Sequence, residues 1–348
     1  MSRVQTLRVG ADEPDQRLDR WFRRHFPQVG QGRIEKLCRK GEIRVDGGRV
    51  QASSRIVPGQ QVRIPPLPDT PAPIRAAAEK ISREDADMIR AAVLYRDDQM
   101  IVLNKPAGLP SQGGIGQRRH VDGLADALRF GLDEKPRLVH RLDKDTSGVL
   151  LLARTARAAT ALTSAFRNRK TRKIYWAAVA GVPQPGMGTI RFGLLKAPGH
   201  GGRGAGEKML CIHPDKIAGT PGAKRATTDY AVLSALGRRT AWLALAPITG
   251  RTHQLRAHMA GIGHPIIGDG KYGGSGQENP GEGWGAQLGG EISRKMHLHA
   301  RTLRISHPQS GAEMFFTAPL SPHMAKTWAT FDWNISEAAE DPFDEARP

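Results

Sequence analysis

Five of the nine residues from 65 to 73, Pro-Pro-Leu-Pro-Asp-Thr-Pro-Ala-Pro, are proline. Proline locks φ and removes a backbone donor, so this stretch can be neither a helix interior nor a central strand. It reads as an extended, semi-rigid linker. A chain of 348 residues is long enough for two cores, and the linker sets where they divide. The expected organisation is a small unit over 14–64, a linker with a short helix over 65–90, a large unit over 91–330, and an acidic tail over 331–348. The end of that tail, from Glu337 on, is expected to be frayed and disordered.

In the small unit, Leu18, Trp21, Phe22 and Phe26 recur at i, i+3, i+4 and i+8, one face of a helix. A second helix follows, with Ile34, Leu37 and Cys38 on its apolar face and Arg33, Lys36, Arg39 and Lys40 on the others. Ile43, Val45 and Val50 about the turn Asp46-Gly47-Gly48 predict a hairpin. In the large unit, Val93–Tyr95 and Met100–Leu103 flank a polar turn and predict another hairpin. Further strands are expected over 149–153, 173–179, 227–235, 240–247, 297–305 and 313–317, with a helix over 156–168. Many strands with few helices between them predict an α+β fold with a largely antiparallel sheet. The Gly-rich stretches 198–208 and 273–290 read as surface insertions.

The formal net charge is +18, from 52 Lys+Arg against 34 Asp+Glu. Such an excess favours a polyanionic partner, a phosphate backbone or an anionic membrane surface. No apolar run approaches the roughly 20 residues that span a bilayer, and the N-terminus has no hydrophobic signal core. Cys38 and Cys211 are the only cysteines and lie far apart, which gives neither a disulfide framework nor zinc spacing. A reducing cytoplasm is the expected compartment.

Chemistry concentrates in His140-Arg141-Leu142-Asp143-Lys144-Asp145-Thr146-Ser147-Gly148, directly before the apolar run 149–153. A carboxylate, a histidine and two cations beside a buried strand are costly unless paired, and such groups cluster at functional sites. Asp143-x-Asp145 superficially matches a phosphatase loop, but the strong strand follows it instead of preceding it, and the Thr falls one residue early. A glycosidase carboxylate pair is possible in principle, but nothing shows that both acids face one site. A second constellation, Thr249-Gly250-Arg251-Thr252-His253-Gln254-Leu255-Arg256-Ala257-His258, follows a strand and places Arg256 one helical turn beyond His253. Arg256 there is a rigid donor suited to a carboxylate or phosphate. The i, i+5 spacing of His253 and His258, with no third candidate ligand nearby, argues against a metal site. Tyr175 in Arg172-Lys173-Ile174-Tyr175 reads on its own as a core residue. Gly268-Asp269-Gly270-Lys271 lacks the spacing of a phosphate loop, and Gly113-Gly114-Ile115-Gly116 joins no strand to a helix, so no nucleotide cofactor is expected.

Taken in order, four segments resemble the RluA family of pseudouridine synthases, in its RluC/RluD-like branch. They are Asn104-Lys105-Pro106-Ala107-Gly108; His140–Asp143 with Thr146-Ser147-Gly148; Lys173-x-Tyr175; and Gly250–Arg256 with Gly263-His264-Pro265-x-x-Gly268-Asp269. The small unit resembles the S4-like (αL) RNA-binding domain, with Gly30-Gln31-Gly32 where such domains often have a Ser or Thr cap. The resemblance implies a mixed, mainly antiparallel catalytic sheet crossed by a central cleft. It also implies conversion of uridine in RNA to pseudouridine without a cofactor or metal. It makes Asp143 the catalytic carboxylate, Arg256 its ion-pair partner with Arg251 as rival, and Tyr175 the ring that packs on the target base. The two Gly-rich insertions look longer than is usual in the family, so no role is carried over to them.

A uridine in folded RNA must be extruded before a carboxylate can reach it. Arg141 is the candidate to fill the vacated space, and His140 shares that role or orients the loop. Lys105, Arg251, His253 and Gln254 are further candidates for RNA contact, and Arg33, Lys36, Arg39, Lys40 and Arg44 are candidates for phosphate contact. The expected substrate is large-subunit (23S) ribosomal RNA, with transfer RNA as the competitor, and the expected state is a monomer. A non-catalytic RNA-binding or ribosome-assembly factor is the alternative of another class.

Overall fold

A computed structural model of the chain describes residues 3–11, 13, 15–67, 81–113, 119–197, 208–273 and 292–344. Most of the proline-rich linker, nearly all of both Gly-rich insertions and the last four residues lie outside the described residues. The chain divides into two compact units, 1–80 and 81–348.

The first unit contains β1 (Gln5–Arg8), β2 (Gln16–Arg17), α1 (Leu18–His25), α2 (Gln31–Lys40), β3 (Arg44–Val45), β4 (Gly48–Arg49), β5 (Arg55–Ile56) and β6 (Gln61–Ile64). Four strands form a sheet in the order β1-β6-β3-β4, and β2 pairs with β5. The predicted apolar stripes are the core: Leu18, Trp21, Phe22, Ile34, Leu37 and Cys38 are buried together with Val62 and Ile64. α2 starts at Gly30 without a side-chain cap. The β3–β4 hairpin turns through Asp46 and Gly47, both at positive φ, the pairing that a two-residue turn needs to match the twist of its strands.

The second unit opens with α3 (Arg83–Ala91), whose Ile89 is buried in the core of that unit. The helix expected over 74–90 is therefore described only from Arg83 and belongs to the second unit, not to a linker. Next come β7 (Val93–Arg96), β8 (Met100–Lys105), α4 (Val121–Leu124), β9 (Arg137–Leu138), β10 (Ser147–Ala153) and α5 (Ala156–Arg167). They are followed by β11 (Arg172–Ala180), β12 (Met187–Lys196), β13 (Met209–Ile212), β14 (Lys224–Leu236) and β15 (Thr240–Pro247). The unit closes with α6 (Gln254–Gly261), β16 (Leu298–Ser306), β17 (Glu313–Thr317) and α7 (Pro322–Thr330).

The strands build one sheet in the order β13-β12-β14-β15-β11-β16-β10-β8-β7, with β17 added on β16 and β9 on β10. Among the described pairings only β10–β16 is parallel, so the sheet is mixed and mainly antiparallel, as expected. β10 is buried along its whole length. Leu150 and Leu152 face one core, and Val149, Leu151 and Ala153 face another, which explains an unbroken apolar run instead of an alternating one. At its start Gly148 adopts φ +106°, and a Cβ there would fall 2.2 Å from the Ala300 carbonyl oxygen, so only glycine lets β10 approach β16.

The expected disordered tail is corrected as far as residue 344. Phe331, Trp333 and Phe343 pack with Trp176, Trp242 and Trp328 in one aromatic core. Asp341 makes a two-pronged ion pair with Arg172, at 2.6 and 2.8 Å. Acidic composition misleads here because a few large anchors outweigh the polar residues between them.

Candidate active site

Asp143 lies in the loop between β9 and β10, and the chain on either side of it is pinned. Leu142 donates its N–H to the buried Ser111 hydroxyl (3.0 Å), which donates in turn to the Leu142 carbonyl (2.8 Å). The Lys144 carbonyl accepts from Gly108 N–H (2.9 Å) and from the Lys105 ammonium (3.0 Å). Lys105 is fully buried, and its ammonium also reaches the carbonyls of Pro106 and Leu109, which uses all three of its protons. Burial pushes its pKa down to about 7, opposed by the charges of Asp145 and Asp143. Lys105 is thus a strut under the Asp143 loop, and the expectation that it contacts RNA is corrected.

For His140 the structure favours the second of its two expected roles, orienting the loop. Its ring stacks on Phe166 at 4.2 Å, and its Nε2 accepts from Leu151 N–H at 2.9 Å, which locks the loop to β10. Burial and the Lys173 charge pull its pKa down to about 3, so the ring stays neutral as that hydrogen bond requires. Arg141, by contrast, is exposed at the cleft and makes no hydrogen bond or ion pair among the described residues.

The Asp143 carboxylate, one-fifth exposed, faces two basic side chains. Arg256 Nη1 lies 3.3 Å from its Oδ2, and His253 Nε2 lies 3.7 Å away. Arg256, on α6, is itself held from behind. Its Nε and Nη2 each donate at 2.7 Å to the two oxygens of the fully buried Asp269. Asp269 Oδ1 also accepts from the N–H groups of Lys271 and Tyr272. Burial works against the Arg256 charge, but the Asp269 hydrogen bonds and the charges of Asp269 and Asp143 outweigh it and raise its pKa. A planar guanidinium gripped on two donors can present the third in only one direction, so Asp269 aims Arg256 at Asp143. Arg251, the rival partner, is exposed and donates to the Arg225 carbonyl at 3.3 Å.

His253 stands at the head of α6 with φ +51°. Its Nδ1 lies 3.0 Å from the Tyr272 hydroxyl, whose oxygen accepts from Met209 N–H. Burial lowers the His253 pKa against the pull of the Asp143 charge, which favours a neutral ring. Gln254 is buried, and its amide is spent on Thr227, Thr228, Thr249 and Arg251, so it shapes the turn into α6 and has nothing left for RNA.

Tyr175, on β11, and Asp143 line one cleft of about 340 Å³ together with Arg141, Arg251, His253 and Arg256. Burial, reinforced by the Asp143 charge, raises the phenol pKa, which keeps it a neutral ring beside the carboxylate. The cleft thus joins an aimed carboxylate to an aromatic face, with a free arginine at its mouth.

In the first unit, Arg33, Lys36 and Arg39 on α2 are exposed with no ion pair among the described residues. Lys40 lies 3.7 Å from Glu42. Arg44 is corrected: half-buried, it donates to the carbonyls of Gly41 and Gly47 and closes the end of α2 onto the hairpin. The residues missed as site members are Asp269, Ser111 and Tyr272. Asp269 carried a readable signal, because a buried arginine needs a carboxylate and Gly268-Asp269 supplies one.

Residues 99–261 match the family model described as RNA pseudouridylate synthase. The chain is 34% identical over 327 residues to ribosomal large subunit pseudouridine synthase C of Haemophilus ducreyi, covering 92% of this chain and 93% of that one. It is also 34% identical over 380 residues to RNA pseudouridine synthase 4, mitochondrial, of Arabidopsis thaliana, covering 94% of this chain and 76% of that one. The solved structure of human RNA pseudouridylate synthase domain containing 4 matches at 29% identity with a TM-score of 0.57, over 71% of this chain and 95% of that chain. The chain belongs to the RluA family of RNA pseudouridine synthases, isomerases that act on RNA.

Proposed function

We propose that this enzyme converts specific uridines of large-subunit ribosomal RNA to pseudouridine, with Asp143 as catalytic residue, Arg256 as its ion-pair partner and Tyr175 stacked on the base. The observation that carries the reading is the aimed carboxylate. Asp143 is pinned through Leu142 and Lys144, paired with Arg256 and opened to a cleft with an aromatic wall. The reaction breaks the N1–C1′ bond, turns the uracil and forms a C5–C1′ bond. The C5 proton leaves and N1 gains one in place of its bond to C1′, so the formula is unchanged and no electrons enter. A carboxylate can attack C1′, attack the base or take a ribose proton, and each role needs it ionised and held within reach. The Arg256 charge favours ionisation. Arg141 is assigned to the space that the extruded uridine leaves.

The ribosomal substrate rests on the name of the Haemophilus ducreyi relative and on the first unit. There, two helices and a hairpin present Arg33, Lys36, Arg39 and Lys40, which supports an S4-like module that grips phosphates. The test is pseudouridine mapping of ribosomal and transfer RNA from cells lacking the protein, complemented with wild type or Asp143→Asn. Large-subunit sites that vanish and return only with wild type are the expected result. Loss of transfer-RNA sites instead overturns the substrate, and rescue by Asp143→Asn overturns the role of Asp143.

A further inference from the structure

A second cleft of about 400 Å³ adjoins the catalytic one and shares Lys173 and Pro247 with it. Its wall is the segment that joins α5 to β11, and five consecutive residues from Arg169 to Lys173 line it. Two of its arginines are already matched by the C-terminal segment: Arg172 by Asp341, and Arg304 by Asp344 at 3.7 Å. Glu313, on β17, adds one carboxylate to the lining. That leaves Arg169, Lys170 and Lys173, none of which has an ion pair among the described residues.

Three observations single out this cation cluster. The Lys173 side chain is largely buried, with its ammonium 5.9 Å from the Phe166 ring centroid, and burial and the like charge of Arg169 push its pKa below the ordinary lysine value, so an anion beside it would stabilise its charge. The Thr171 hydroxyl is buried in the same wall with no hydrogen-bond partner among the described residues. Arg169, two residues past the end of α5, holds φ +57°, a conformation that glycine or asparagine takes freely and that costs an arginine about 1–2 kcal/mol.

We propose that the second cleft is a phosphate site for the RNA strand as it leaves the catalytic cleft, with Arg169, Lys170 and Lys173 contacting the phosphodiesters next to the target uridine. This rests on the reading that the Asp143 cleft takes that uridine. Because the two clefts share Lys173 and Pro247, a backbone bound in one can continue into the other. Lys173 then faces the base at Tyr175 on one side and a phosphate on the other. Contacts of this kind fix register and strengthen binding without reading sequence.

The test uses the full chain with unmodified transcripts of large-subunit ribosomal RNA and of transfer RNA. Wild type is compared with Arg169→Asn/Lys170→Gln, in which asparagine suits the left-handed backbone. An equally neutralising control, Arg157→Gln/Arg238→Gln, alters exposed residues outside both clefts. The cleft variant is expected to raise KM about tenfold at physiological salt with kcat within about twofold, and to lower the salt slope of binding by about 0.7 per lost contact. If its KM and salt slope match those of the control, the proposal is overturned. Should the double variant lose its cooperative melt, Lys170→Gln alone, altered at an exposed side chain, carries the same comparison. Asp143→Asn runs in parallel: if it stays active, the catalytic reading fails while the salt slope still reports on the second cleft. If it is inactive and the slope does not move, the second cleft fails alone.

Discussion

Arg256 and Arg39 carry the same charge in opposite circumstances. Arg256 is buried, gripped twice by Asp269 and aimed once at Asp143. Arg39 stands in solvent on α2 with Arg33 and Lys36, and has no ion pair among the described residues. A buried charge is held in place by hydrogen bonds and fails when one partner is removed, because the other stays uncompensated. An exposed charge costs the fold almost nothing and is free to meet a phosphate. Arg256 thus serves geometry, while the α2 cations stay available.

The sharpest way to break that contrast is Asp269→Ala. It leaves the Arg256 guanidinium buried without its main partner, and it should cost about 3–5 kcal/mol of stability together with a large fall in kcat. Denaturant unfolding and single-turnover kinetics check both. A stable, fully active Asp269→Ala would show that Arg256 needs no aiming.

Acid should come next in size. His258, His297 and His299 are fully buried, and burial pushes their pKa values down to about 4, 3 and 4. The unfolded chain takes up these protons as the pH falls through about 6.5, and the folded chain does not until the lower values. Stability is therefore complete above about 6.5 and lost on acidification, by on the order of 2 kcal/mol per residue at pH 5. Unfolding followed from pH 7.5 to 5 measures the slope, and a flat profile would contradict the burial of these rings in neutral form.

Tyr175→Leu should lose the stacking of one base, about 1–3 kcal/mol, as higher KM and lower kcat, while Tyr175→Phe keeps most of it. Equal losses in the two variants would move the role from the ring to the hydroxyl. The smallest effect on the fold belongs to Lys36→Gln/Arg39→Gln. Its stability should stay within about 0.5 kcal/mol of wild type while its RNA affinity falls and its salt slope flattens. Unchanged affinity would remove α2 from the RNA interface.

Much of this contrast was legible in the sequence. Helical spacing of Leu18, Trp21 and Phe22 and the apolar run 149–153 announced their elements, because burial on one or both faces leaves a local pattern. β12 was missed since Gly188, Arg191 and Gly193 interrupt it, and β13 since it is only four residues long; both lie at one end of the sheet. Asp143, Tyr175 and Arg256 stood out by motif, and the fold brings them to one cleft. Lys105, Gln254 and Arg44 misled for one shared reason: a polar side chain looks the same in sequence whether it faces RNA or the protein's own backbone. Only long-range partners such as Lys144, Leu151 and Thr227 decide between the two. The tail misled for the same reason, since Asp341 finds Arg172 across 169 residues of chain.

The most direct test of the central claim is single-turnover pseudouridine formation by purified wild type and Asp143→Asn on unmodified RNA, with affinity measured in the same samples. An aimed catalytic carboxylate predicts a rate loss of at least about 10³-fold with affinity within a few fold of wild type. A variant that binds and isomerises at near wild-type rate would contradict the assignment of Asp143 and, with it, the purpose of the Arg256–Asp269 clamp.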